Sequence, residues 1–339
     1  MNKKVILFGA GKTGNRVLSK IKNEREFLGD DYFVADNNAD LWGDRLDDIC
    51  IIDPSELSAM EFDYVIICAK AEDEIKHQLI KEIGVPEYKI FNLEEYRRQS
   101  FCESVYLERE EQYSDISTGT LSGTERIVVY TAITGGYDEL KAPEVQDENI
   151  TYVCFTDDPD KKSDIWNIEY VKSDEGAMMQ AKMFKLHPER YFKDFEVSVW
   201  VDGAYAIRDD LRDYIRIYSK GSPLLCFPHF ERRCIYDEAL ECINCGKASK
   251  EQMVRQMSYY CSQNYPFDNG LYEMGCIARQ HNNSKVIRLM DEWEKQIRTF
   301  STRDQISFPY VSFKENFCPD ICNLYIANNK WLKHYNHRM

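Results

Sequence analysis

Apolar runs that stop at glycines or acidic residues recur along the chain, and their spacing predicts two successive α/β patterns. The first opens with a strand over residues 3–8, continues through Gly9-Ala10-Gly11-Lys12-Thr13-Gly14, and enters a helix with Val17, Leu18 and Ile21 on one side. Further strands are expected at residues 32–35, 63–68 and 88–93, with a helix over 72–83. Residues 97–125 break the pattern with Glu108, Glu110 and Glu111 followed by a Ser, Thr and Gly-rich run, so they read as a linker with helix confined to its first half. The second pattern has strands over 126–132, 150–156, 197–201, 223–227 and 274–278. Its helices are expected over 178–191, 211–218, 251–262 and 284–300, with a last one starting at Arg303; the segment after Phe317 shows no pattern. The expected division is a Rossmann-like module over 1–96, a linker over 97–125 and a larger α/β domain over 126–339.

Chemistry is expected where strands end, because ligands of open α/β sheets bind at the carboxyl edge. In the first pattern, strand, Gly-x-Gly-x-x-Gly and helix come in that order, so Gly9, Gly11 and Gly14 are candidates to bring a pyrophosphate to a helix N-terminus. Asp36 follows the second strand and could meet a ribose hydroxyl, which makes NAD or a nucleotide the candidate ligand. The alternative is a module that keeps its glycines for packing alone. In the second pattern, Val197-Ser-Val-Trp-Val201 halts at Asp202-Gly203, a carboxylate presented at a strand end. Such a group suits a divalent cation carrying a diphosphate, since magnesium and manganese use oxygen ligands; it is equally a common turn former. Thr134 and Asp157 end two earlier strands, and Lys182 and Lys185 share one helical face.

Composition narrows the partners. With 339 residues, a formal charge of -15 and a pI near 5.0, the chain is not built to coat nucleic acid or an anionic membrane, and any anionic ligand needs a local basic cluster. No stretch has the length and apolarity of a membrane span or signal peptide, so a cytoplasmic setting is expected, with peripheral membrane association and a homo-oligomer left open. The 12 cysteines include one pair at zinc-knuckle spacing, Cys242 and Cys245, without a second pair to complete a site.

Seven motifs in order carry a resemblance: Tyr130-Thr-Ala-Ile-Thr-Gly-Gly-Tyr-Asp-Glu-Leu140, Phe155-Thr-Asp-Asp158, Trp200-Val-Asp-Gly203, His229 to Ala239, Gly270-Leu-Tyr-Glu273, Arg279-Gln-His-Asn282 and Arg303-Asp-Gln-Ile-Ser-Phe308. Over residues 126–315 the chain resembles the glycosyltransferase-like domains of the plant turgor-defect and mucilage-related proteins, also found in bacterial surface-glycan loci. The first 95 or so residues resemble small Rossmann-like modules found beside enzymes of surface-polysaccharide synthesis, through Phe8-Gly-Ala-Gly11 and Asp36-Asn37.

The resemblance implies a GT-A-like fold, a nucleotide-sugar donor, a glycan or glycolipid acceptor and a manganese or magnesium ion at an acidic strand end. One departure is Asp202-Gly203-Ala204 where such enzymes usually carry Asp-x-Asp, which leaves the metal on Asp202 and a distant ligand, with His229 and His281 as the candidates and His281 the one assigned, and leaves a metal-independent variant open. Thr134, Asp157, Lys182, Lys185, Asp202, Arg232, Arg233 and Arg279 are the expected donor contacts, and His229 and Gln305 lie on the acceptor side. Asp304 is the first candidate for the carboxylate that takes the acceptor's proton and Glu238 the second; a helix cap is the other use of Asp304. Competing functions are an NAD(P)-dependent oxidoreductase working through the first module and a non-catalytic glycan-binding or scaffold protein.

Overall fold

The computed structural model describes residues 3–23, 29–112, 121–172 and 175–336. Its chain forms two compact units, Met1–Ser104 and Val105–Met339. Residues 113–120 of the expected linker lie outside the described residues, and residues 97–112 belong to a helix.

In the first unit the elements run β1 (Lys4–Phe8), α1 (Lys12–Asn23), β2 (Asp31–Ala35), β3 (Arg45–Leu46), β4 (Ile49–Ile52), β5 (Tyr64–Ile67), α2 (Glu72–Gln78), β6 (Ile90–Phe91) and the beginning of α3 (Leu93–Gln112). The sheet order is β3-β4-β2-β1-β5-β6, parallel throughout except for β3. Central β1 is buried from Val5 to Phe8, as a parallel strand covered on both faces must be. Gly14, Val17, Leu18 and Ile21 form the inward face of α1. The β3–β4 hairpin is absent from the sequence reading; Asp47 turns it at φ 57°, a left-handed conformation that hairpin turns require. The helix expected over 72–83 is α2 followed by a widened turn, Leu79–Ile83, closed by Gly84 at φ 83°.

The second unit contains β7 (Ile127–Ile133), β8 (Ile150–Thr156), β9 (Asn167–Tyr170), α4 (Ala177–Leu186), β10 (Val197–Val201), β11 (Tyr205–Ile207), α5 (Leu211–Tyr218), β12 (Leu224–Pro228), α6 (Ile235–Asn244), α7 (Lys250–Ser262), β13 (Tyr272–Arg279), α8 (Ser284–Thr299), α9 (Asp304–Lys314), β14 (Asp320–Ile321) and β15 (Leu332–His334). Its main sheet has the order β14-β12-β13-β10-β7-β8-β9. Only β13 runs against its neighbours; β10, β7, β8 and β9 are mutually parallel and β12 is parallel to β14. Alternation sends Val197, Val199 and Val201 to one core with Tyr214 and Ile215 of α5, and Trp200 to the other with Trp293 of α8.

Helix α4 stops at Leu186, short of the expected 191, because Pro188 disfavours helical backbone before it. The tail after Phe317 supplies β14 and β15, strands too short to leave a periodic trace. This topology brings the carboxyl ends of β7, β8, β10 and β12 and the amino end of β13 to one edge.

Candidate functional site

Asp202 stands where β10 gives way to a turn, its N–H donating to the Gly275 carbonyl at 2.8 Å. Its Oδ1 accepts from Trp200 Nε1 at 2.5 Å and from Lys185 Nζ at 3.3 Å. Its Oδ2 accepts nothing among the described residues, and the side chain is 39% exposed. The same Lys185 ammonium donates to Asp304 Oδ2 at 2.8 Å, while Lys182 donates to Asp304 Oδ1 at 2.7 Å. Two ammonium groups from one face of α4 thus meet two carboxylates from the end of β10 and the first turn of α9.

Burial opposes the charge on Asp304, but Lys182 and Lys185 outweigh it and hold that carboxyl far below the usual carboxylate range. For Lys185, Asp202 and Asp304 likewise overcome burial and raise the ammonium above its ordinary value; for Lys182 burial prevails and lowers it. Asp304 is not a helix cap, since the capping position is Arg303 and makes no side-chain capping bond. The backbone of Lys185 is pinned from behind: Arg279 donates to its carbonyl, as does the Tyr130 hydroxyl at 3.1 Å.

A second cluster lies on the same edge. His229, just past β12, accepts at Nδ1 from the N–H groups of Glu231 and Arg232, both at 3.1 Å. Its proton therefore sits on Nε2, which faces Glu273 Oε1 at 3.5 Å and Glu238 Oε2 at 3.6 Å. Glu238, on α6, is answered by Arg232 Nε at 2.8 Å. Glu273, on β13, accepts from Gln305 Nε2 at 3.1 Å. Burial, opposed by that hydrogen bond but joined by the charges of Glu238 and Asp202, pushes the Glu273 carboxyl up to about 7. The sequence reading gave Glu273 and Trp200 no role, although both lie inside its motifs; an acidic residue opening a buried strand was the available signal.

Other expected contacts are turned elsewhere. Thr134 donates to the Ala177 carbonyl at 3.0 Å, and Asp157 accepts the Gly135 N–H at 2.9 and 3.0 Å, so both brace loops at the edge. Arg233 forms a fork with Glu108 at 2.5 and 2.9 Å. Arg279 is fully buried between Tyr130, Met290 and the Lys185 carbonyl, which corrects its assignment as a donor contact: it positions Lys185 instead. The Gly203 space is filled by the chain itself, since a Cβ there would lie 2.6 Å from Ile133 Cδ1 and 3.0 Å from Asp138 Oδ2.

The expected metal pair is not assembled. Asp202 is level with Gly275, whereas β13 runs on to Arg279, paired with Ser198 near the other end of β10, before the chain reaches His281. His281 is buried, its Nε2 donating to the Phe192 carbonyl at 2.8 Å. Among the described residues no three His, Cys, Asp or Glu are grouped to hold a metal ion. The open Oδ2 of Asp202 has the Lys185 ammonium 3.3 Å from its twin oxygen, a placement that disfavours a further cation. Asp202 and His281 together do not fit the divalent ion.

In the first unit, Asp36 turns its carboxylate onto the glycine loop: Oδ2 accepts from Ala10 N–H at 2.6 Å and Oδ1 from Asn38 N–H at 2.8 Å. Gly9 adopts φ 118°, and a Cβ on Gly14 would fall 1.8 Å from the Gly9 carbonyl oxygen, so both glycines are required by packing. Gly11 has nothing within 4 Å of a Cβ built on it.

The second unit is a mixed α/β fold whose candidate site lies at one strand-end edge. Residues 111–326, well over half of the chain, match the model of the TOD1/MUCI70 glycosyltransferase-like domain, and the chain belongs to that family. Residues 1–91 match the C2185-like N-terminal domain. No curated protein matches the chain. Among solved structures, that of RSP in complex with beta-NAD+ and operator DNA is 15% identical, with 57% of this chain and 60% of that one covered and a TM-score of 0.20. The chain thus spans about three fifths of that structure's chain, and so loose a likeness carries no argument. No described helix is long and apolar enough to cross a membrane.

Proposed function

We propose that the second unit transfers a glycosyl group from a nucleoside-diphosphate sugar to a hydroxyl of a glycan or glycolipid acceptor. The observation that carries this reading is Asp202: a strand-end carboxylate, held on one oxygen by Trp200 and Lys185, leaves the other to accept from a ligand hydroxyl. The family match over residues 111–326 supports the reaction class.

The donor lies along the edge formed by the ends of β7, β8 and β10. Lys182, the more exposed of the two lysines at 19%, is the cation placed to meet charge developing on the departing diphosphate. Because Asp304 and Asp202 together balance the two lysines in the resting site, part of that positive field becomes available only as the ligand competes for it. His229 and Gln305 stand on the acceptor side. The setting we propose is cytoplasmic synthesis of a bacterial surface polysaccharide or glycoconjugate, an extension that rests on family resemblance.

Calorimetric titration with UDP and GDP, followed by a panel of their sugar conjugates, tests the reading. The expected result is saturable binding of a nucleoside diphosphate, lost with Asp202→Asn, and release of that diphosphate from its sugar conjugate. Wild-type protein that binds none of them overturns it.

A further inference from the structure

One N–H of His229 faces two carboxylates, and the two are not equivalent. Glu238 has a guanidinium of its own in Arg232. Glu273 has no lysine or arginine ion-pair partner among the described residues and is tied by neutral donors only, Gln305 on Oε2 and the nearby imidazole on Oε1. It occupies the second position of β13, two residues before Gly275, whose carbonyl accepts the N–H of Asp202 on neighbouring β10. Asp304 and Gln305 are consecutive in α9, so the helix that fixes the lysine network also fixes Glu273.

We propose that Glu273 is the catalytic base of the transfer, with His229 and Gln305 as its positioning residues; this rests on the transferase reading above. The alternative, Asp304, is clamped by two ammonium groups and is too weak a base for the task. In the step, the acceptor hydroxyl proton passes to a Glu273 carboxylate oxygen while the acceptor oxygen forms a bond to the anomeric carbon. The bond from that carbon to the phosphate oxygen breaks, and its electron pair leaves on the nucleoside diphosphate. Water takes the proton from Glu273 after product leaves. A single displacement of this kind inverts the anomeric configuration.

The charged and titratable groups facing Glu273 are Glu238 from α6, His229 after β12, Asp202 at the end of β10, Tyr205 on β11 and Arg303 at the start of α9. Burial and the carboxylates keep its proton near neutral pH, with Gln305 and Arg303 opposing, and the resulting value of about 7 suits a base that must both take and release a proton.

The test compares full-length wild type with Glu273→Gln and Glu273→Asp. UDP or GDP affinity, whichever binds wild type, is expected to change less than about threefold in Glu273→Gln, while kcat falls about 100-fold or more with donor KM nearly constant. The wild-type kcat should rise with pH through an inflection near 7 that is missing in Glu273→Gln and partly restored in Glu273→Asp. Should Glu273→Gln not fold, carbon NMR of wild type labelled at glutamate carboxyls decides, with one glutamate expected to titrate near 7. Full kcat in Glu273→Gln, a reduced kcat with the pH inflection intact, or no glutamate titrating above the ordinary range overturns the assignment. Failure of wild type to bind either diphosphate overturns the transferase reading itself, and the role of Glu273 with it.

Discussion

Asp36 and Asp202 are both aspartates at the carboxyl end of a sheet strand, yet they are put to opposite uses. Asp36 spends both oxygens on backbone N–H groups of its own neighbourhood, Ala10 and Asn38. Asp202 gives one oxygen to side chains and keeps the other unoccupied. The contrast teaches that standing at a strand end does not by itself assign a carboxylate its use; the groups its oxygens already accept from, backbone in one case and side chains in the other, set the two apart. In the first unit the acidic group and the glycines stabilise the loop; in the second the acid belongs to a charge network shared by separate elements.

The sharpest way to break the comparison is Asp304→Ala, which strands one buried and one half-buried ammonium group and should cost about 3–5 kcal/mol in urea unfolding. A loss below about 1 kcal/mol would mean the network is an ordinary surface feature. Next, the Glu273 carboxyl, about 7 in the fold against an ordinary value of 4.5, binds its proton more tightly folded than unfolded. Stability should therefore fall by about 3 kcal/mol as pH rises from about 4.5 to 7, and Glu273→Gln should flatten that fall. Gly14→Ala forces its methyl against the Gly9 carbonyl and is expected to destabilise the first unit by about 1–3 kcal/mol, read from amide exchange in β1 and α1. Removing the Asp36 carboxylate with Asp36→Ala should cost about 1 kcal/mol there. Smallest of all, Gly11→Ala is expected to stay within about 0.5 kcal/mol, and UDP affinity to differ less than about twofold between EDTA and manganese. A tenfold gain with manganese would return a metal to Asp202.

Much of the fold was legible because apolar runs and glycines report locally. Strands β1, β2, β5, β7, β8 and β10 and helices α5, α7 and α8 fall where periodicity predicts them. The edge that gathers Thr134, Asp157 and Asp202 follows from strand ends alone. What was not legible depends on chain segments far apart. Nothing near Asp304 announces that two lysines 119 and 122 residues earlier will claim it, or that Gln305 turns to Glu273. Arg279 reads as a ligand contact until its strand proves to be central and its guanidinium fully buried. His281 fails as a metal ligand because an antiparallel strand carries it away from the edge, a direction that periodicity does not encode.

Those long separations bear on how the protein is made. During synthesis, Lys182, Lys185 and Asp202 leave the ribosome well before Asp304, so the emerging chain holds two lysines with one of their two carboxylates still missing. At the usual 5–20 residues per second, some 6–24 seconds pass before the compensating carboxylate arrives. Sealing this edge is therefore a late event in folding, and a chain interrupted before α9 retains an exposed, charged seam.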